Sequence, residues 1–487
     1  MSRQLRFEFA EIPTGNDGQG PDSVLTGPTS SWLKSKARKT NDIDTAAIDT
    51  SRLLEEVLTE RNLAEALLHV ARNRGAAGVD GQSVESVVAR AAQLLPLMRT
   101  EVSRGRYRPL EVKRVWIPKP GSDEPRGLGI PTVSDRWLQQ AIHQVLSPIF
   151  EPTFHHSSHG FRPNRGAHTA MAEAKALVNA GYEWVVSLDL SQFFDRVNHQ
   201  RLLSRLSQRI KDKGLLRLIH QMLKAKIVLP DGTKVSVDEG TPQGGPLSPL
   251  LSNIVLDELD WELERRALRF IRYADDLNVF VRSERAGTRV MASLTRFVEK
   301  RLRLKVNYDK SVVDRPENVH ILGFSLHRNL KKGLTEVRLS KKTRRRIRSK
   351  VSELTPRNWG QSVRDCMRKA NQYLKGWIGY FSRCSSPSFL EGVDSHLRRR
   401  LRAIIIRQKK RPRYLYRHLV RQGTPKHSAA KLAFSSRGLW FKSNMPGINL
   451  AYKNNWFMGK LMNLVHEWSR LNLPKTSAVS EQLTLAF

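Results

Sequence analysis

Phe270-Ile271-Arg272-Tyr273-Ala274-Asp275-Asp276-Leu277-Asn278-Val279-Phe280-Val281 places two adjacent carboxylates between two apolar runs. Such runs on either side of a break read as a β-hairpin with Asp275 and Asp276 at its turn. Two neighbouring carboxylates on a tight turn repel each other, and a hard divalent cation removes that cost. A lone Asp-Asp pair is more simply read as two solvated turn residues. Tyr-Ala-Asp-Asp between two apolar strands is a much less common pattern.

A second carboxylate stands upstream, where the apolar run Trp184-Val185-Val186-Ser187-Leu188 ends at Asp189, followed by Leu190-Ser191-Gln192-Phe193-Phe194-Asp195. If Asp189 faces the Asp275 turn across a sheet, three carboxylates can hold two Mg²⁺ ions about 4 Å apart, the arrangement of in-line nucleotidyl transfer. Asp195 stays open as the alternative ligand, and either residue can instead be a helix N-cap. Between the two Asp motifs lies Glu239-Gly240-Thr241-Pro242-Gln243-Gly244-Gly245-Pro246-Leu247-Ser248-Pro249, leading into a helical run from Leu250 to Leu263. Its glycines permit close approach of backbone to a substrate, and Gln243 can hydrogen-bond near a templating base or an incoming nucleotide.

Composition points to the same chemistry. The 487 residues carry 83 Lys and Arg against 46 Asp and Glu, a net charge of +37 that internal ion pairs cannot absorb. Nucleic acid is the expected polyanion, since each neutralised phosphate releases counterions. An anionic membrane surface is the competing reading, but no apolar run approaches the roughly 18 residues that span a bilayer. Residues 1–10 show no apolar signal core, and the acids Glu8, Glu11, Asp17, Asp22, Asp42, Asp44 and Asp49 are unlike an organellar transit peptide, so a cytoplasmic, bacterial location is expected. With Cys366 and Cys384 as the two cysteines, neither a zinc finger nor a disulfide framework is expected.

Residues 1–48, rich in Gly, Pro, Ser and Asp, read as a flexible extension. Helical periodicity begins after a cap at Asp49-Thr50-Ser51 and runs through Leu53, Leu54, Val57, Leu58, Leu63, Leu67 and Val70 to a turn at Arg74–Gly81. Strands are expected at 112–117, 184–190, 270–272, 277–281 and 320–326, alternating with helices in an α+β region. Beyond Arg338 the chain turns into basic helix, with eight Lys or Arg and no acid in 338–350 and eleven and no acid in 398–421. Acid-free blocks this dense repel one another unless a polyanion binds.

The motifs, taken in order, resemble group II intron reverse transcriptases. Asp189 with Phe193-Phe194-Asp195, Gly240-Thr241-Pro242-Gln243-Gly244-Gly245 and Tyr273-Ala274-Asp275-Asp276 are similar to that family's successive palm motifs. Arg74-Gly75-Ala76-Ala77-Gly78-Val79-Asp80-Gly81, Trp116-Ile117-Pro118-Lys119-Pro120, Pro125-Arg126-Gly127-Leu128-Gly129-Ile130-Pro131 and His159-Gly160-Phe161-Arg162-Pro163 resemble its fingers and adjoining segments. Asn307-Tyr308-Asp309-Lys310-Ser311 and Leu322-Gly323-Phe324 extend the likeness to about residue 326. After Arg338, Leu339-Ser340-Lys341-Lys342-Thr343, Tyr373-Leu374-Lys375-Gly376-Trp377-Ile378-Gly379-Tyr380-Phe381 and Leu397-Arg398-Arg399-Arg400-Leu401-Arg402 resemble its maturase or thumb domain.

The resemblance implies a right-hand polymerase: N-terminal helices and fingers over 49–183, an antiparallel palm over 184–336, a helical thumb over 337–411, and a small basic DNA-binding segment over 412–487. It implies Asp189, Asp275 and Asp276 as ligands of two Mg²⁺ ions, and Lys119 and Arg126 as the clasp on an incoming triphosphate. By the same likeness Phe194 would exclude a ribose 2′-hydroxyl, and Lys310 would protonate pyrophosphate unless it is a solvated loop lysine. RNA contacts are expected from Lys341, Lys342, Arg344, Arg345, Arg346, Arg398, Arg399, Arg400 and Arg402, whereas the aromatic stripe Tyr373, Trp377, Tyr380 and Phe381 reads as packing. The implied function is RNA-directed DNA synthesis joined to intron splicing and retrohoming of a mobile element. Its partners would be group II intron RNA, a DNA target and primer, and dNTPs, with a homodimer left open. The family's Cys- and His-bearing endonuclease domain is not matched here. Two alternatives remain: a splicing-only RNA-binding maturase, and a domesticated reverse transcriptase serving DNA repair or phage defence.

Overall fold

The computed structural model describes residues 49–118, 125–329, 333–356 and 362–472, so the expected extension over 1–48 and Lys119 lie outside the described residues. Two compact units divide the chain, Met1–Asp314 and Arg315–Phe487.

In the first unit the expected N-terminal helical run is interrupted at Thr59, whose backbone is extended and whose side chain accepts the N–H of Asn62. A short α1 (Leu53–Val57) therefore precedes α2 (Glu60–Asn73), and Thr59 rather than the Asp49-Thr50-Ser51 cluster caps the longer helix. Arg74, in the left-handed conformation at φ 46°, ends α2 where the Arg74–Gly81 turn was expected. The helices α3 (Val84–Ala89), α4 (Ala91–Ser103) and α5 (Val133–Phe150) follow. Leu63 and Leu67 of α2 are buried with Trp137, Leu138 and Ile142 of α5, and the Trp137 indole donates to the Leu63 carbonyl at 2.7 Å. Each such side chain taken out of water stabilises the unit by about 1.5–3 kcal/mol. The remaining helices of this unit are α6 (Ala167–Asn179), α7 (His199–Ser207), α8 (Lys213–Leu223), α9 (Ser248–Arg265) and α10 (Glu284–Arg296).

Its strands are β1 (Val112–Pro118), β2 (Pro125–Ile130), β3 (Trp184–Leu188), β4 (Ile227–Val228), β5 (Lys234–Val235), β6 (Arg269–Tyr273), β7 (Asp276–Val281) and β8 (Val312–Asp314). One sheet has the order β2-β1-β4-β5, with β1 antiparallel to β2 and parallel to β4. The other is antiparallel throughout, in the order β6-β7-β3-β8. Both faces of its central pair are covered, so the alternating side chains of Val185, Val186, Val279 and Phe280 are all buried.

The second unit opens with the hairpin β9 (Phe324–Asn329) and β10 (Leu334–Leu339). The strand expected over 320–326 starts four residues late, because Leu322 at φ 50° and Gly323 at φ 90° form a turn that no ladder can include. Helices then dominate: α11 (Lys341–Leu354), α12 (Val363–Phe381), α13 (Pro387–Gln408), α14 (Pro412–Arg421), α15 (Lys426–Ala433), α16 (Leu439–Lys442), α17 (Pro446–Ala451), α18 (Asn454–Phe457) and α19 (Leu464–Asn472). The aromatic stripe packs as expected: Trp377 and Phe381 are buried, their rings 4.7 Å apart, with Phe324 5.1 Å from Phe381. The basic block 398–421 is not one helix, since α13 stops at Gln408 and Pro412 starts α14. Residues 315–487 contain 37 Lys and Arg against 8 Asp and Glu, so +29 of the chain's +37 lies in this unit. The antiparallel α+β region and the helical C-terminal region expected from the sequence are both present.

Candidate active site

Antiparallel β3 and β7 pair with Leu188 opposite Leu277. One step beyond, the same register brings Asp189, the residue that leaves β3, beside Asp276, the first residue of β7. The turn between β6 and β7 consists of Ala274 and Asp275, closed by the pairing of Tyr273 with Asp276. All three aspartates therefore lie at one end of the central strand pair. Asp189 is held through its main chain: its N–H donates to Ser311 Oγ at 3.1 Å and its carbonyl accepts from Asn307 at 2.8 Å.

Burial pushes the half-buried Asp275 carboxyl above the usual carboxylate range, and the nearby Asp189 charge adds to that shift. Arg126 and Arg272 oppose it. Like charges gathered in a poorly solvated corner are the condition that a hard cation relieves, and carboxylate oxygens are its preferred donors. Among the described residues no three His, Cys, Asp or Glu side chains are arranged around a common point that could hold a metal. The fit to a divalent ion thus rests on donor type and main-chain placement.

Beneath the turn lies a buried network. Arg272, 1% exposed, forms a two-pronged pair with the fully buried Asp260 of α9, Nε to Oδ1 at 2.7 Å and Nη2 to Oδ2 at 2.5 Å. Its other donors reach Asn253 Oδ1 at 3.0 Å, Ser158 Oγ at 2.8 Å and the Ala274 carbonyl at 2.9 Å. Asn253 in turn donates to the Gly160 carbonyl. Ala274 sits at φ 54°, a conformation that costs an L-residue about 1–2 kcal/mol. The arginine and the close backbone of Gly160 hold it there.

The other expected site residues distribute around this corner. Arg126 of β2 donates from Nε to Gln243 Oε1 at 2.8 Å, tying the glycine-bearing loop to the first sheet. At Gly244 a Cβ would stand 2.2 Å from the Gly129 carbonyl, so the missing side chain makes room for β2. Phe194 is 8% exposed, packs edge-on against Phe193 at 5.3 Å, and receives the Thr241 N–H on its carbonyl at 2.6 Å. Lys310, 62% exposed, lies 4.0 Å from Asp189 Oδ2. Asp195 is occupied by Arg114 at 3.3 Å, which sets it apart from the three aspartates at the strand ends.

Of the expected RNA contacts, Lys341, Lys342, Arg345 and Arg346 are exposed on α11, and Arg344 is half-buried over the Phe389 ring at 5.3 Å. Arg398, Arg399 and Arg402 are half-buried on α13. Arg400 is a correction. It is buried and donates to Thr355 Oγ1, the Thr355 carbonyl and the Ser352 carbonyl at 2.6, 2.7 and 2.9 Å, which makes it a structural bridge between helices. Residues 473–487 of the expected C-terminal segment lie outside the described residues.

Sequence reading missed the Arg272–Asp260 pair, although a signal was present: Arg272 stands inside an apolar run, next to Ile271 in a strand whose interior is buried, and such a charge needs a buried acid.

Residues 117–326 match the family described as reverse transcriptase (RNA-dependent DNA polymerase), and residues 344–423 match the group II intron maturase-specific domain. Protein YkfC of Escherichia coli (strain K12) is 35% identical over 312 residues, covering 55% of this chain and 81% of that protein. The group II intron-encoded protein LtrA of Lactococcus lactis subsp. cremoris is 41% identical over 168 residues, 34% of this chain and 28% of LtrA. Nuclear intron maturase 4, mitochondrial, of Arabidopsis thaliana is 31% identical over 142 residues, 29% of this chain and 18% of the relative. The match therefore spans less than a third of the length of the latter two.

Proposed function

Because this chain belongs to the reverse transcriptase family, in the form that carries a group II intron maturase domain, we propose that it copies RNA into DNA and assists the splicing of the intron RNA it binds. Divalent-metal dependence comes with the reverse transcriptase domain. The observation that carries the reading is the register that sets Asp189 against the Asp275–Asp276 turn.

Asp189, Asp275 and Asp276 would hold two Mg²⁺ ions. When bound, such a pair lowers the pKa of a primer 3′-hydroxyl and stabilises the leaving pyrophosphate. The chain's own part is positional. Arg126, exposed beside the turn and steadied by Gln243, offers its guanidinium to the triphosphate, and Lys119 is assigned the same task from the family pattern. Phe194 walls the sugar side, with Lys310 close enough to Asp189 to meet a departing phosphate. Splicing assistance is a binding activity, supplied by the exposed cations of α11 and the arginines of α13 on folded RNA. A bacterial cytosolic setting suits the likeness to YkfC and LtrA, and no described helix is long and apolar enough to cross a membrane.

Primer extension by the purified chain on an RNA template, with dNTPs and Mg²⁺, tests the assignment. Asp275→Ala should abolish synthesis and leave RNA binding intact, and Phe194→Ala should admit ribonucleotides. Retained synthesis by Asp275→Ala would sink the polymerase reading, and unchanged sugar selectivity would remove Phe194 as the gate. Group II ribozyme domains in the DNA flanking the gene would support the splicing half, and their absence would favour the domesticated alternative.

A further inference from the structure

A cavity of about 660 Å³ opens in the second unit between α13 and the short helices α17 and α18. Arg398, Arg399, Arg402 and Lys453 line it with Asn444 and Asn454, and no Asp or Glu is among its nine lining residues. The nearest acid on the same helix, Asp394, is buried one turn before Arg398, and its carboxylate accepts the N–H groups of Leu464 and Val465 at the start of α19.

Two of the arginines are fixed in place. The Arg399 guanidinium lies 3.9 Å over the Trp440 ring and donates to the Trp440 carbonyl at 2.9 Å and Ser443 Oγ at 3.3 Å. Arg402 donates Nε and Nη2 to the Tyr452 carbonyl at 3.0 and 2.7 Å and Nη2 also to Asn454 Oδ1 at 3.5 Å, over the Phe457 ring at 5.6 Å, which among the described residues leaves the Asn454 amide N–H₂ as its free donor. Those bonds use the Nε and Nη2 sides of each fork, and among the described residues neither Nη1 has a hydrogen-bond partner. Planar forks held against rings lose little freedom on meeting a phosphate. The like charges Arg398 and Arg402, four residues apart, would weaken α13 without an anion between them.

We propose that this cavity takes one unstacked nucleotide of an RNA strand, its phosphate on Arg398, Arg399, Arg402 and Lys453 and its base edge on the rim amides of Asn444 and Asn454. The inference rests on the RNA-binding function proposed above. Side-chain amides offer a donor and an acceptor, which a phosphate alone would not use and a base edge does. RNA-binding proteins read sequence on bases splayed from the stack. The cavity volume falls within the roughly 300–1,000 Å³ of small-molecule clefts.

The test compares a twelve-nucleotide single-stranded RNA with an abasic ribose-phosphate oligomer of the same length, by fluorescence anisotropy on the full chain. Asn444→Ala with Asn454→Ala, which removes no charge, should weaken the RNA by about tenfold and leave the abasic oligomer unchanged, since paired base contacts are worth about 1–3 kcal/mol. Arg398→Ala with Lys453→Ala should weaken both and lower the salt slope by about 1.4, close to 0.7 for each lost phosphate contact. Equal losses on both oligomers in the Asn variant, or none on either, would overturn the nucleotide pocket. Primer extension on the same wild-type preparation separates the two failures: a chain that neither extends nor binds RNA fails the function, whereas one that extends but ignores the asparagines fails only the pocket.

Discussion

At Gly160 there is no room for a methyl group, since a Cβ would stand 2.2 Å from the Ala274 nitrogen and 2.9 Å from the Tyr273 carbonyl carbon, both backbone atoms. The contact presses from one side on the turn that carries Asp275, while Arg272 grips the Ala274 carbonyl from the other. Gly160→Ala must therefore push the turn outward. The expected result is primer extension reduced by at least about tenfold, at a stability cost of about 1–3 kcal/mol, the usual toll of one surplus methyl group. Thermal unfolding and extension measured on the same variant check both halves. Activity equal to wild type would show that the turn tolerates displacement. The three aspartates were legible in the sequence because their motifs are local, each a strand end plus a carboxylate. The residues that hold them were not. Asp260 lies twelve positions before Arg272 on a helix, and Ser158 lies 114 positions away, so the apolar strand signals that Arg272 needs an acid but not which residues supply the contacts.

Among elements, α11 shows how the second unit depends on a neutral imidazole. Ser340 caps the helix by accepting the Thr343 N–H, and His320 Nδ1 lies 2.7 Å from the Ser340 hydroxyl. Burial first, then Lys342 and Arg346, lower the His320 pKa to about 4. A helix N-terminus is also unfavourable for a cation. The unfolded chain takes up this proton near pH 6.5 and the folded one only near 4. The stabilisation is fully present above pH 6.5 and fades as pH falls towards 4, by less than the full linkage value because the His320 ring is partly open to water. The thermal midpoint should fall between pH 7 and 5, and His320→Asn should flatten that decline; an identical decline in the variant would place the loss elsewhere. Elements were legible to differing degrees for physical reasons. β6 and β7 declared themselves by apolar runs, but β2 reads Pro125-Arg126-Gly127-Leu128-Gly129-Ile130, poor in strand formers, and exists because all six residues pair with β1. The start of β9 was misplaced because left-handed Leu322 and Gly323 cannot join a ladder, and His320 and Ile321 before them look equally strand-like.

Over the whole chain, charge is unevenly divided, with +29 of the +37 in residues 315–487. RNA affinity should accordingly depend on salt through that unit. Replacing the exposed Lys341, Lys342, Arg345 and Arg346 by glutamine should lower the slope of log affinity against log salt by about 3 if all four meet phosphate, at about 0.7 each. A slope unchanged by the fourfold replacement would move the phosphate track off α11. The Arg272 network carries a different consequence for the first unit. Its partners come from an early loop at Ser158, from Asn253 and Asp260 in α9, and from the Ala274 turn itself. Closing the loop between Ser158 and Arg272 costs chain entropy before the arginine repays any of it. The turn should then be among the last parts of the unit to become ordered as the nascent chain collapses. A molecule in which this network has not closed would keep its helices while the Ala274 turn stayed loose, so amide exchange at the turn would report when the Arg272 knot is tied.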